Sequence, residues 1–210
     1  MGCIDVFAGT NGAGKSSVVG EAARARGALY FNPDEVARQI RAVSPDFSDV
    51  EVNAAAWSEG KRLLEKAIAQ DGHFAFETTL GGNTIPGLLA RAAAKGLEVR
   101  IWYVGLASPE LHIARVRARV AKGGHDIPEA KIRERYDLGR ENLIALLPKL
   151  TELWVYDNSF EADPAAGLAP RPVLLLHYRA GKIVAPKSLA RTPAWAKPII
   201  AAALRLTRAS

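Results

Sequence analysis

The sequence predicts an α/β fold, in which a mainly parallel sheet of five strands is flanked by helices. Three observations lead to this fold class. Short apolar runs typical of strands alternate with helical patterns over residues 1–159, which is the order of βαβ units. A glycine-rich loop directly follows the first apolar run. Hydrophobic residues make up 49% of the 210 residues and charged residues 24%, a composition that supports a packed soluble core.

Each strand is predicted from an apolar run, and each helix from the residues at its ends. Pro33 and Pro109 follow the capping residues Asn32 and Ser108, so a helix is expected to begin at each of these positions. Gly96 is expected to end the helix before the fourth strand. The predicted strands cover residues 3–8, 28–31, 73–80, 97–104 and 150–159, and the predicted helices cover residues 17–24, 33–43, 50–70, 84–95, 108–121 and 129–147.

The chain is predicted to form one phosphate-binding domain over residues 1–160, followed by an extension over residues 161–210. The extension begins with a stretch rich in Ala, Pro and Gly over residues 161–172, which is typical of a linker. A small hairpin is predicted over residues 173–184, and a basic amphipathic helix over residues 195–208. We expect both elements to pack on the same domain.

The stretch from Gly9 to Ser16 satisfies the phosphate-binding pattern G-x-x-x-x-G-K-[ST] between a predicted strand and a predicted helix. Its glycines allow successive backbone N–H groups to point at a polyphosphate, and the helix that follows adds a favourable dipole. Lys15 is expected to contact the outer phosphates and the Ser16 hydroxyl to bind Mg²⁺. The predicted nucleotide-binding residues are Gly9, Thr10, Asn11, Gly12, Ala13, Gly14, Lys15, Ser16 and Ser17. The loop therefore predicts binding of ATP or GTP together with Mg²⁺.

Two acidic residues lie at the ends of the second and third predicted strands. Asp34 lies in the first turn of a helix just after a strand, and Glu77 lies near the end of the run 73–80. Ligands of open α/β sheets bind at the carboxyl ends of the strands. Asp34 is therefore our candidate general base and Glu77 our candidate for holding the acceptor. Two alternatives stay open: Asp34 could serve only the helix dipole, and Glu77 could hold a water on Mg²⁺ if its strand neighbours the first.

Arginines are concentrated in two predicted helices on either side of a Gly-Gly turn, over about residues 115–136. We interpret this segment as a lid, because the planar guanidinium group binds phosphate oxygens and stays charged. Arg119 and Arg135 are the candidate lid residues that stabilise charge on the transferred phosphoryl group. Arg117 is expected on a solvated face, and His125 is expected to be only a turn residue.

The fifth predicted strand ends in Asp157 and Asn158. An apolar run followed by an acid resembles the Mg²⁺-binding strand of many NTPases. Because this strand comes last, we expect it to lie away from the phosphate loop. Asp157 and Asn158 are then expected to shape the base side of the nucleotide site or a turn.

These features favour an enzyme that transfers the γ-phosphoryl group to a hydroxyl of a small molecule. A nucleoside or nucleotide kinase is an alternative, and so is a non-catalytic, nucleotide-gated protein that binds nucleic acid through its basic tail. The net charge of +6 is compatible with phosphorylated ligands, but the chain shows no recognised RNA-binding module. No signal-peptide pattern and no membrane-length apolar run are seen, so we expect a cytoplasmic protein without a membrane partner.

The sequence also resembles the zeta-toxin-like P-loop kinases, which include UDP-N-acetylglucosamine kinases. The resemblance covers roughly residues 1–159 and is carried by three segments besides the phosphate loop. These are Phe31-Asn32-Pro33-Asp34-Glu35, then Phe76-Glu77-Thr78-Thr79-Leu80, and the stretch from Arg119 through Gly123-Gly124-His125-Asp126-Ile127-Pro128 to Arg135-Tyr136. The second segment departs from the Glu-Gly-Thr that the toxins carry.

The resemblance implies an ATP- or GTP-dependent kinase whose acceptor is a small hydroxyl-bearing molecule. In the toxin members this acceptor is a UDP-N-acetyl sugar, phosphorylated on its 3′-hydroxyl, and an antitoxin protein is the implied partner. By motif matching, Asp34 would be the catalytic acid, Glu77 and Thr78 the acceptor contacts, and Arg119 and Arg135 the lid residues. Lys15 and Ser16 would serve the phosphates and Mg²⁺.

Overall fold

A single sheet of seven strands organises the computed structural model, which describes residues 1–15, 30–160 and 172–209. The strand order is β2-β3-β1-β4-β5-β6-β7. The first five strands pair in parallel and the last two pair antiparallel. The strands are β1 (Cys3–Ala8), β2 (Tyr30–Phe31), β3 (His73–Thr78), β4 (Glu98–Gly105), β5 (Glu152–Asp157), β6 (Val173–Arg179) and β7 (Lys182–Ala185).

Helices connect successive parallel strands from β2 to β5, as the sequence predicts, and one further helix follows the hairpin. They are α1 (Pro33–Val43), α2 (Asp49–Ala69), α3 (Thr84–Ala94), α4 (Pro109–Val120), α5 (Glu129–Leu146) and α6 (Lys197–Ala209). The helix predicted over residues 17–24 lies outside the described residues, as do Ser16 and Ser17. The predicted α/β fold is confirmed, and the hairpin of β6 and β7 extends the same sheet to seven strands instead of standing apart from it.

The helix starts that position the site have clear local causes. Asn32 caps α1, because its side-chain oxygen accepts hydrogen bonds from the backbone N–H groups of Asp34 and Glu35. Pro33 occupies the first turn, where a missing N–H does no harm. The cap fixes Asp34 in the first turn of α1, at the carboxyl end of β2. Helix α4 begins in the same way, with the Ser108 hydroxyl 3.3 Å from the Leu111 nitrogen.

Parallel pairing brings the carboxyl ends of β1, β2 and β3 to one edge of the sheet. Ala8 at the end of β1 is opposite Thr78, and Phe7 is opposite Glu77. On the other side of β3, Phe31 is opposite Phe76. Strand β3 therefore lies between the strand that carries the phosphate loop and the strand that precedes Asp34.

The C-terminal elements share this sheet and its main core. Strand β6 pairs with β5 along its length. The Trp195 side chain is 4% exposed and belongs to the same apolar cluster as the buried strands. Its ring packs on Gly105 of β4, where an added Cβ would lie 2.3 Å from a ring carbon. We propose that residues 161–210 are an extension that folds as one unit with residues 1–160.

No helix within the described ranges is both long enough and apolar enough to cross a bilayer.

Replacing Trp195 by alanine tests whether the extension folds with the rest of the chain. We expect Trp195→Ala to lower the free energy of unfolding by about 3–5 kcal/mol, because it removes a buried aromatic ring and leaves a cavity. Leu204→Ala on the partly exposed side of α6 is the matched control and should change stability little. Denaturant titration followed by circular dichroism measures both. Two separate transitions, with only the smaller one shifted in Trp195→Ala, would contradict a single folding unit.

Candidate active site

The phosphate-binding loop lies very close to two neighbouring elements, and only glycine fits there. Gly12 and Gly14 have φ angles of +82° and +86°, a region that other residues rarely adopt. A Cβ on Gly12 would lie 2.8 Å from the His112 carbonyl oxygen, and one on Gly14 would lie 2.6 Å from Asn158 Nδ2. These positions therefore need glycine for the backbone conformation and for the close contact.

Side chains from three elements hold the loop. His112 Nδ1 of α4 lies 2.9 Å from the Asn11 carbonyl oxygen. Arg135 of α5 donates to Asn11 Oδ1 at 2.9 Å. After β5, Asn158 Nδ2 donates to the Ala13 carbonyl oxygen at 2.8 Å. The carbonyl oxygens of Asn11 and Ala13 are thus directed at protein side chains, which fixes the orientation of their peptide groups. Within the loop, the Ala13 N–H donates to the Thr10 carbonyl oxygen at 3.1 Å.

The expectation that the end of β5 lies away from the loop is wrong. Strand β5 is two strands from β1, yet Asn158 reaches across β4 to the loop backbone. Arg115 of α4 donates to the Asn158 carbonyl oxygen at 2.8 Å and so holds this residue in turn. Asp157 accepts hydrogen bonds from the nitrogen and hydroxyl of Ser159, which agrees with the predicted turn role.

Lys15 is partly buried at the end of the loop. Its Nζ donates to the Gly9 carbonyl oxygen at 2.8 Å. Burial lowers the pKa of Lys15, while the negative charges of Glu77 and Asp34 oppose that shift. The predicted phosphate lysine therefore lies within electrostatic range of both predicted acids.

Glu77 is 8% exposed and accepts two hydrogen bonds at the same carboxylate oxygen. The donors are the Tyr30 hydroxyl and, at 3.2 Å, Asn32 Nδ2. Both donors come from β2 and the residue after it, so the β2–β3 pairing fixes the carboxylate. The neighbouring Thr78 hydroxyl accepts from the Leu80 nitrogen at 3.1 Å.

Asp34 faces two basic side chains of the lid segment, the Arg119 guanidinium group and the His125 imidazole ring. Arg119 Nη1 lies 3.4 Å from Asp34 Oδ2, and His125 Nε2 lies 3.9 Å from Asp34 Oδ1. Arg119 Nη2 also donates to the His125 carbonyl oxygen at 3.2 Å, which connects the Gly-Gly turn to α4. His125, predicted as a turn residue alone, therefore also faces the candidate base. Arg117 pairs with Glu129 on the surface, as expected for a solvated face.

A cavity of about 440 Å³ opens between the loop, the ends of β2 and β3, and helix α2. The predicted site residues that line it are Asn11, Lys15, Asp34, Glu77, Thr78 and Arg135. A second cavity of about 640 Å³ lies between α1 and α4, and Arg119 and Arg115 line it. Asp34 lines both cavities. In the described ranges, no three His, Cys, Asp or Glu side chains cluster in a way that could hold a metal ion.

Sequence reasoning missed the residues that support the site. The sequence pattern predicts a strand at Tyr30 and a helix at His112, and it indicates no further role for either side chain. The bonds of His112 to Asn11 and of Tyr30 to Glu77 join residues 101 and 47 positions apart. No local pattern signals such pairs, although a histidine on the inner face of α4 could have been flagged as a buried polar group.

The fold and the loop define a protein with P-loop kinase architecture. The chain belongs to the Zeta toxin family, because the sequence model of that family matches residues 3–160. An uncharacterized protein of Haemophilus influenzae is 34% identical over 133 residues, which cover 62% of this chain and 89% of that protein.

Solved structures agree in fold. A chain of the AvrRxo1-ORF1:AvrRxo1-ORF2 complex with sulphate ions superposes with a TM-score of 0.69 at 14% identity, over 94% of this chain and 63% of that one. A structure from the PezAT chromosomal toxin-antitoxin system of Streptococcus pneumoniae gives a TM-score of 0.55 at 16% identity, over 75% of this chain and 67% of that one. The chain thus spans less than two thirds of the AvrRxo1 chain, and at these identities the likeness concerns the fold.

The buried His112 makes stability depend on pH. Burial lowers its pKa to about 4 from an ordinary value near 6.5. Between about pH 6.5 and 4, His112 therefore stays neutral in the folded protein, whereas it is protonated in the unfolded chain. The free energy of unfolding should fall as pH drops from about 6.5 to about 4, by about 3 kcal/mol from this residue.

His112→Gln provides the comparison, because glutamine can donate to the Asn11 carbonyl oxygen but does not titrate. Denaturant unfolding at several pH values should show a shallower loss of stability in the variant between pH 6.5 and 4. Identical pH dependence in both proteins would show that His112 is not held neutral.

Proposed function

We propose that the protein is a kinase that transfers the γ-phosphoryl group of ATP or GTP to a hydroxyl of a small molecule. The observation that carries this proposal is the position of Asp34, which lines both the cavity beside the phosphate loop and the cavity beneath the arginines of α4. A carboxylate between a bound triphosphate and an acceptor is where a general base is needed. Membership of the Zeta toxin family and an ATP complex of the structurally similar AvrRxo1 assembly support a nucleotide-dependent kinase.

The loop supplies the nucleotide side of the reaction. Its backbone N–H groups would bind the phosphates, and Lys15 would leave the Gly9 carbonyl oxygen to contact the outer phosphates. Oxygen donors of the kind Mg²⁺ prefers are present, since the Glu77 carboxylate lies at the end of the strand next to β1. We propose Ser16 as the direct Mg²⁺ ligand. When bound, Mg²⁺ would neutralise charge on the phosphates.

The cavity of about 440 Å³ supplies the acceptor side. In the proposed reaction the acceptor oxygen attacks the γ-phosphorus, the bond from the γ-phosphorus to the bridging oxygen breaks, and the nucleoside diphosphate leaves. The acceptor proton passes to the Asp34 carboxylate. Glu77 and Thr78 would hold the acceptor, and the two hydrogen bonds from Tyr30 and Asn32 keep Glu77 in one orientation.

Arg119 and Arg135 would stabilise the negative charge on the phosphoryl group in the transition state. Arg119 Nε is buried and lacks a hydrogen-bond partner within the described part of the chain, although the same guanidinium contacts Asp34. Arg135 is already placed at the loop by its bond to Asn11, and burial lowers its pKa.

The acceptor that the family suggests is a UDP-N-acetyl sugar, and we keep this acceptor class as part of the proposal. A panel of nucleosides and nucleoside monophosphates tests the alternative acceptors. The PezAT structure belongs to a toxin-antitoxin system. We propose an antitoxin protein as a partner of this chain on that support.

Asp34→Asn tests the base. With radiolabelled ATP and the acceptor panel, we expect the rate of phosphate transfer to fall by about 10²–10⁴-fold, because an amide cannot take the proton of the substrate hydroxyl. Nucleotide affinity, measured by equilibrium dialysis, should stay close to that of the wild type. Glu35→Gln is the matched control, because Glu35 is the next residue in the same turn and is exposed. Transfer by Asp34→Asn at the wild-type rate would exclude Asp34 as the base.

Glu77→Gln separates the two roles open to Glu77. If Glu77 holds the acceptor, the KM for the acceptor should rise about tenfold while the Mg²⁺ requirement stays the same, because one charged hydrogen bond is lost. Steady-state kinetics at varied acceptor and varied Mg²⁺ measures both quantities. An unchanged KM for the acceptor with a raised Mg²⁺ requirement would assign Glu77 to a metal-bound water instead.

A further inference from the structure

One face of α2 points into the 440 Å³ cavity. Asn53, Trp57 and Lys61 follow one another at intervals of four residues, and all three line this cavity. Residues on the adjoining face, including Leu64 and Ile68, are buried in the core. Helix α2 therefore has a core-facing side and a separate cavity-facing side.

Trp57 differs from the other tryptophans in its exposure. Its side chain is 48% exposed, whereas Trp102 is 8% exposed and Trp195 is 4% exposed. Trp154 stacks on the Trp102 ring with centroids 4.4 Å apart. A large aromatic ring that stays exposed on a cavity wall is more typical of a binding surface than of a packing residue.

Close packing next to Trp57 sets the distance between α2 and β2. Gly60 lies one turn further along α2, and a Cβ there would lie 2.6 Å from the Phe31 ring. Phe31 ends β2, two residues before the helix that carries Asp34. Because glycine lets α2 approach β2, the indole of Trp57 and the carboxylate of Asp34 line the same cavity.

The polar neighbours of Trp57 indicate what kind of ring fits. Lys61 Nζ is paired with Glu65 Oε1 at 2.9 Å, so its charge is already balanced. Asn53 offers a neutral amide that can donate and accept hydrogen bonds. The wall is therefore suited to an uncharged ring with polar groups on its edge.

We infer that Trp57, with Asn53 one turn away, forms a subsite that stacks a neutral ring of the acceptor and so determines acceptor specificity. This inference rests on the proposed function, since it assigns the acceptor to this cavity. A nucleobase can stack through its π-face, and a pyranose can pack its axial C–H groups on the negative face of the indole. Both rings present the same flat face with polar edges.

Direct binding of two probes tests the subsite and separates the two rings. Uridine and N-acetylglucosamine are titrated into the wild-type protein, Trp57→Ala, Trp57→Phe and the control Ser58→Ala, which lies next to Trp57 on the exposed side of α2. We expect saturable binding of one probe by isothermal titration calorimetry. Trp57→Ala should weaken it about tenfold, Trp57→Phe should restore most of it, and Ser58→Ala should leave it unchanged.

Tryptophan fluorescence gives an independent readout. The wild-type signal should be quenched by the probe that binds, and this quenching should disappear in Trp57→Phe. Binding of neither probe, quenching that persists in Trp57→Phe, or equal affinity in Trp57→Ala would overturn the subsite. Circular dichroism verifies that each variant is folded.

Phosphate transfer distinguishes failure of the subsite from failure of the kinase proposal. Transfer by the wild type, with an unchanged KM for the acceptor in Trp57→Ala, would remove the subsite and leave the kinase. Absence of transfer to every acceptor, with ring binding that still depends on Trp57, would remove the kinase and leave the subsite.

Discussion

The hydrogen bonds that hold the phosphate-binding loop are the constraint on which the rest of the site depends. A glycine-rich segment has the largest conformational entropy to lose on folding, so its ordered form needs external support. Here that support comes from His112 on α4, Arg135 on α5 and Asn158 after β5. These elements meet only in the folded sheet, so global folding and the order of the loop are coupled. The bonds from His112 and Asn158 engage two carbonyl oxygens of the loop and so fix the orientation of its backbone.

Strand order explains how the charges are balanced around Lys15. A buried ammonium group is unfavourable unless negative charge lies nearby. Because β3 is between β1 and β2, Asp34 after β2 and Glu77 near the end of β3 both approach this lysine. Arg119 of the lid segment in turn faces Asp34. The site is thus an alternation of cations and anions, which suits the triphosphate of the proposed reaction.

Local chemistry made much of this arrangement predictable. The pattern from Gly9 to Lys15, the Asn32 cap and the apolar runs are short-range signals, and each led to the right element. The place of β5 was predicted wrongly, because the reach of Asn158 to the loop depends on side-chain length and strand register, not on chain order. For the same reason, the hydrogen bond from Tyr30 to Glu77 and the inclusion of the C-terminal hairpin in the main sheet could not be read from local sequence.

The hairpin at the end of the sheet also affects how molecules of this protein meet each other. Strand β7 is one of the two edge strands of the described sheet and is only four residues long. It begins with the exposed Lys182, and Pro186, which has no N–H to donate, follows it directly. A short strand bounded by a charge and a proline is a poor template for the backbone of another chain. The β7 edge of the sheet is therefore a poor site for intermolecular strand addition and aggregation.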